Sequence, residues 1–151
     1  MGYEDVFERL EAAGVRYVVV GGVAMTLHGH ERPPRDLDLV VEKAPEEMRR
    51  ATEAILSLGF VPTLPLPLGT LAVLRFTDAS GREMDVFTNS RAHFEELWSG
   101  SELRASAGRP VRVCSLSYLI RMKRLNGRPQ DFRDIETLLK GEGERAKESG
   151  K

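Results

Sequence analysis

The stretch Tyr17–Glu42, YVVVGGVAMTLHGHERPPRDLDLVVE, decides the fold of this 151-residue chain. Val18–Val20 is a β-branched apolar run halted by Gly21 and Gly22, the pattern of a buried strand ending in a tight turn. Neither glycine carries a Cβ, so a ligand or a second backbone can approach closely there. Val23–His28 reads as a short helix stopped by Gly29, with free N–H groups and a positive dipole end facing the turn, which favours an anion. After a basic, proline-containing loop, Asp36–Val41 reads as a second strand. Asp36 and Asp38 are two apart and share one face, while Leu37 and Leu39 take the other. Side-by-side carboxylates repel, and a divalent cation is the simplest partner that makes the pair favourable. Taken singly, Gly-Gly after a strand is also an ordinary turn and Asp-x-Asp an ordinary solvated strand end. Their order and closeness point to a phosphate cradle beside a metal site, and so to nucleotide chemistry.

Outward from that stretch, length and composition describe one domain able to bury a core, with 41% hydrophobic and 30% charged residues. The net charge of −1 gives no global attraction to nucleic acid. Local basic clusters at Arg32–Arg35 and Arg121–Arg128 keep an anionic ligand in play, with Arg32 a candidate contact. A single cysteine, Cys114, excludes an internal disulfide and suits a reducing cytoplasm; beside Val111 and Val113 it reads as a small core residue. No apolar run is long enough to span a membrane, and no signal-peptide core stands at the N-terminus, so a cytoplasmic protein is expected.

In chain order, Val6, Phe7, Leu10 and Ala13 fall at helical spacing before a Gly14 stop, and a strand follows from Arg16 to Val20. Pro45 opens a helix to about Leu58, with Glu46 and Glu47 in its first turn. The prolines of 61–69 exclude helix or a central strand and predict a loop. Thr70–Thr77 and Arg82–Thr88 predict a hairpin around Asp78-Ala79-Ser80-Gly81. In its second strand Asp85 lies between Met84 and Val86, where a core-facing carboxylate is costly unless compensated and a solvent-facing one is ordinary. A helix is expected at Arg91–Trp98, a short edge strand at Val111–Val113, and a helix over Leu116–Asn126 capped by Ser115 and ended by Gly127. Pro129 begins a last helix with Phe132, Ile135, Leu138 and Leu139 as its buried stripe. Residues 1–140 are thus read as the domain, and the Glu/Lys/Gly-rich 141–151 as a disordered tail.

The order strand, Gly-Gly, helix, Asp-x-Asp strand and later single Asp resembles the minimal nucleotidyltransferases of the DNA polymerase beta superfamily. The run SLSYLIRMKRLNGRPQDFRDIETLL is similar to the end of small bacterial members, including those of toxin–antitoxin pairs, through Lys123, Arg128, Asp131, Asp134 and Ile135. The resemblance spans about Arg16 to Leu139 and implies an α/β (α+β) domain: a small mixed, twisted sheet flanked by helices, with a C-terminal helical pair. It further implies that Gly21 and Gly22 hold the phosphates of an NTP, that Asp36, Asp38 and Asp85 bind two Mg²⁺ ions, and that Asp85 is a possible base. Two ions near the attacking and leaving oxygens are what in-line displacement at phosphorus needs. Lys123 and Arg128 become candidate phosphate contacts; an exposed helix lysine and an ion-pair cluster with Asp131 and Asp134 are the alternatives. One departure is Pro34, which stands where many relatives carry Thr and so removes a hydroxyl and stiffens the loop. His28 and His30 lack companions for a zinc set and read as metal-free.

The expected activity is Mg²⁺-dependent transfer of a nucleoside monophosphate from an NTP to a hydroxyl of a protein (as when an antitoxin modifies its toxin), a tRNA end or a small molecule. Two other readings stand beside it. One is an inactive nucleotidyltransferase-like module that neutralises a partner protein by contact. The other is a flavodoxin-like or other phosphate-binding domain in which Gly21-Gly22 matters and Asp85 does not.

Overall fold

The computed structural model describes residues 2–31, 33 and 35–149. The elements run α1 (Glu4–Ala12), β1 (Val18–Val20), α2 (Gly21–Leu27), β2 (Leu37–Glu42), α3 (Pro45–Ser57), β3 (Val61–Pro62), β4 (Val73–Thr77), β5 (Glu83–Asn89), α4 (Arg91–Gly100), β6 (Glu102–Ser106), β7 (Arg109–Val113), α5 (Leu116–Asn126) and α6 (Pro129–Ser149). The strands form one mixed sheet in the order β3-β4-β5-β2-β1-β7-β6. Its centre is parallel, β2 beside β5, while β1 runs antiparallel to β2 and parallel to β7.

The central strands explain their own placement. Leu37, Leu39 and Val41 are fully buried and pair with Met84, Val86 and Thr88, so one sheet face is almost wholly apolar. The other face carries Asp38, then buried Val40, beside Asp85 and Phe87. One residue of register slip would carry the acids into the core, so apolar burial fixes where they point. Tyr3, at the start of α1, adds a stitch: its buried hydroxyl reaches the carbonyl oxygens of Arg35 (3.2 Å) and Glu83 (3.1 Å), joining the approaches to β2 and β5.

Several local expectations are corrected. Val111–Val113 is not an edge strand, because β7 is flanked by β1 and β6, and the edge falls to β6. Glu102–Ser106 lacks an apolar alternation, and Leu103 is 57% exposed, so no hydrophobic period marked it as a strand. Pro110 is tolerated because β1 pairs with β7 only through Val19 and Val113. Within the stretch expected to be loop, Val61 and Pro62 form a two-residue edge strand against Thr77 and Phe76. In α6, Phe132 and Leu139 are about half exposed; the buried side is Asp131, Asp134, Ile135 and Leu138. The two aspartates are buried because they receive Lys123, at 3.5 Å from Asp131 and 2.9 Å from Asp134, together with Arg128 and Gln130. The helix continues past residue 140, where the sequence reading ends the domain, through a run rich in Glu, Lys, Arg and Ala, which are strong helix formers.

Two termini match their sequence signals closely. Ser115 Oγ caps α5 by accepting from Tyr118 N at 3.0 Å, and Gly127 ends it in the left-handed region at φ 63°. Cys114 is fully buried, and burial raises its thiol pKa to about 12. Among the described residues no helix is long and apolar enough to cross a membrane.

The buried hub between α5 and α6 sets a test. Asp134→Ala leaves Lys123 facing only Asp131 in a nearly closed site, and the expected loss is about 3 kcal/mol of folding stability. Urea denaturation would show a lower midpoint at an unchanged slope.

Candidate active site

Asp38 and Asp85 occupy paired positions on the adjacent parallel strands β2 and β5. Asp36 immediately precedes β2, on the same side as Asp38. The structure therefore brings the three sequence-selected acids to one sheet face. A fourth, Glu83, begins β5.

Gly21 explains how Asp38 fits. The glycine has φ 67°, and a Cβ built on it would collide with Asp38 Oδ2 and stand 3.1 Å from Cγ. Backbone conformation and close approach both demand glycine here. Gly21 and Gly22 are the first residues of α2 rather than a separate turn before it.

The residue the sequence reading missed is Arg75 on β4, opposite Asp85 in the hairpin. Its Nε and Nη2 donate to Asp85 Oδ1 and Oδ2 at 2.9 and 3.0 Å, a bidentate pair. Nη2 also reaches Asp36 Oδ2 at 3.1 Å, and Nη1 reaches Glu83 Oε2 at 2.7 Å. These carboxylates raise the guanidinium pKa, Asp85 foremost. A signal existed, since hairpin pairing is countable from the turn. A four-residue turn over 78–81 sets Arg75 opposite Met84, however. Asp78 instead closes on Arg82, through Asp78 N to Arg82 O (3.1 Å) and Arg82 N to Asp78 Oδ1 (2.9 Å), which shifts the register by one.

Asp38 carries the site's clearest electrostatic mark. Burial, then the negative charges of Asp85 and Asp36, push its pKa up to about 7; Arg75 opposes this, and a hydrogen bond to Asp85 favours the protonated form. Near neutrality Asp38 therefore holds its proton far more readily than an ordinary carboxyl does.

A cleft of about 530 Å³ opens from this corner, within the size range of small-molecule sites. Gly21, Gly22 and Asp38 lie at one end. Val40 and Phe87 on the sheet, with Tyr118 and Met122 on α5, form an apolar wall, and Asn89 adds a polar group. Lys123 and Arg128 also line the cleft, but both are engaged: Lys123 with Asp131 and Asp134, and Arg128 through Nε to Asp131 Oδ2 at 2.8 Å. Arg128 holds the Asp131 carboxyl down at about 2. Arg32 and the Pro34 departure lie outside the described residues. His28 is buried, with Nε2 2.8 Å from Cys114 O.

Among the described residues no group of three or more His, Cys, Asp or Glu side chains is arranged as a ready metal site. Yet Asp38 and Asp85, fixed side by side by strand pairing, are oxygen donors of the kind a hard cation prefers, so they fit one. Arg75 engages both Asp85 and Asp36.

The raised Asp38 value has a measurable consequence. Below its ordinary value of 3.8 the carboxyl is protonated in both folded and unfolded chains. As pH rises toward about 7 the unfolded chain releases the proton while the folded one keeps it, so this group's stabilising contribution is lost across that window. Urea midpoints of wild type and Asp38→Asn, compared between those limits, should converge toward acid pH and diverge toward neutrality, the wild type having the steeper decline.

No protein-family model matches the chain, and no curated protein is significantly similar to it in sequence. Solved structures do match. ANT(2'')-Ia, in complex with adenylyl-2''-tobramycin, superimposes with a TM-score of 0.66 at 20% identity, over 95% of this chain and 92% of its own. The lincosamide antibiotic adenylyltransferase LnuA, lincomycin-bound, gives 0.64 at 14% identity, over 89% and 94%. TM1012 of Thermotoga maritima, an inferred nucleotidyltransferase, gives 0.64 at 15% identity, over 91% and 89%. The chain has the minimal nucleotidyltransferase fold.

Proposed function

We propose that this protein transfers a nucleoside monophosphate from an NTP to a hydroxyl acceptor with Mg²⁺. The observation that carries the reading is the acid pair Asp38–Asp85 held together by strand register, with Asp38 packed against Gly21 and lining the cleft. The acceptor oxygen forms a bond to the α-phosphorus as the α–β bridging P–O bond breaks; pyrophosphate leaves, and Asp85 takes the hydroxyl proton. Gly21 and Gly22 let the phosphates approach the backbone. Val40, Phe87, Tyr118 and Met122 offer the base an apolar wall, with Asn89 as a polar contact. Asp38 and Asp85, with Asp36 as third ligand, would hold the metal, which supplies charge neutralisation at the transferring phosphate. Two similar structures contain an adenylylated aminoglycoside and lincomycin, which favours a small-molecule hydroxyl over a tRNA end or a toxin protein as acceptor.

The second reading, a non-catalytic module that neutralises a partner by contact, draws on one observation. Both Asp85 carboxylate oxygens already accept from Arg75.

α-Labelled ATP, CTP, GTP and UTP, each with Mg²⁺ and a panel of hydroxylated small molecules or a cell extract, separate the two. Label transferred to an acceptor, and reduced by a factor on the order of a hundred or more in Asp38→Asn and Asp85→Asn, supports transfer. No label in any product, together with a melting temperature unmoved by Mg-NTP, favours the binding module.

A further inference from the structure

Arg75 has two features that an ordinary surface ion pair lacks. It engages both oxygens of one candidate metal ligand and one oxygen of another, Asp85 and Asp36. It also touches a third carboxylate, Glu83, two residues from Asp85 along β5 and therefore on the same sheet face. A guanidinium's planar fork matches one carboxylate bidentately while its remaining nitrogen serves another. Three donor nitrogens here span three carboxylates.

We propose that Arg75 is a built-in cation that competes with divalent metal for Asp85, and that Glu83 is the anchor that keeps the guanidinium beside the site once Asp85 turns to the metal. Without metal, the guanidinium neutralises the cluster and holds Asp85 and Asp36 in place, so the strands tolerate their acids. With metal, the Nη1–Glu83 bond persists while the Nε and Nη2 bonds to Asp85 open. Arg75 is thus a positioning residue that sets the metal concentration at which the site becomes competent. Its half-exposed position, 39% for the side chain, gives it room to swing without disturbing the core.

The inference rests on the metal-binding reading of the cluster, and titration with Mn²⁺ alone, followed by calorimetry or by the EPR signal of free Mn²⁺, tests each separately. Arg75→Gln is expected to bind Mn²⁺ roughly tenfold more tightly than wild type, since two charge-assisted bonds no longer compete. Arg75→Lys, which keeps the charge but loses the fork, should fall between them and serves as the readout if the glutamine variant does not fold. Equal or weaker Mn²⁺ binding by the variants overturns the role given to Arg75 and leaves the transferase reading standing. Absence of Mn²⁺ binding to wild type and variants alike, with or without an NTP, overturns the metal site itself and this inference with it.

Discussion

Everything at the site depends on two carboxylates being forced together by main-chain hydrogen bonds. The pairing of Asp38 with Asp85 follows from the parallel register of β2 on β5, and the apolar partners Leu37, Leu39, Met84 and Val86 fix that register on the far face. Moving the acids apart would mean slipping a strand and exposing several fully buried side chains, at roughly 1.5–3 kcal/mol each. The repulsion is smaller than that and is borne locally, by a proton on Asp38 and by the Arg75 fork. The sheet core thereby holds together a charge arrangement that a bound cation, on the proposed reading, would relieve.

The same logic orders the surroundings. Gly21 must be glycine because Asp38 occupies the volume a Cβ would take, so the start of α2 and the acid strand are fitted to one another. Tyr3 ties the segment before β2 to the start of β5, holding Asp36 and Glu83 near the guanidinium they share. On the opposite wall, Lys123, Asp131 and Asp134 tie α5 to α6 beside the buried apolar residues of both helices. Geometry at the cleft is set by packed and paired elements on every side, as a site that must hold reacting groups steady requires.

The legible parts of the sequence were those with a strong local signal. The β-branched run before Gly21, the Asp-x-Asp alternation and the Ser115 and Gly127 caps each carry their physics within a few residues, and each element formed where expected to within a residue or two. What was not legible depended on tertiary context. Strand β6 has no hydrophobic period because it is an edge with an exposed leucine. The α6 stripe was misassigned because periodicity counts apolar residues, while Asp131 and Asp134 are buried by their partners on α5 and at the helix junction. Arg75 escaped notice because one extra turn residue, Arg82, decides whether it faces Asp85 or Met84.

Charge balance bears on the proposed role of metal at this corner. Lys123 and Arg128, the basic residues lining the cleft, are matched by Asp131 and Asp134 and so present little free positive charge. At the glycine corner, four carboxylates, Asp36, Asp38, Glu83 and Asp85, lie around the guanidinium of Arg75. On the proposed reading, a triphosphate entering that corner would meet net negative charge in a partly exposed setting. Protonating Asp38 removes one charge and no more, and Arg75 is already shared among three acids. Under the proposed transferase reading, divalent cations arriving with the nucleotide would reverse the sign of the interaction while leaving the carboxylates as ligands, and an excess of acid beside the glycine corner would make phosphate binding conditional on metal.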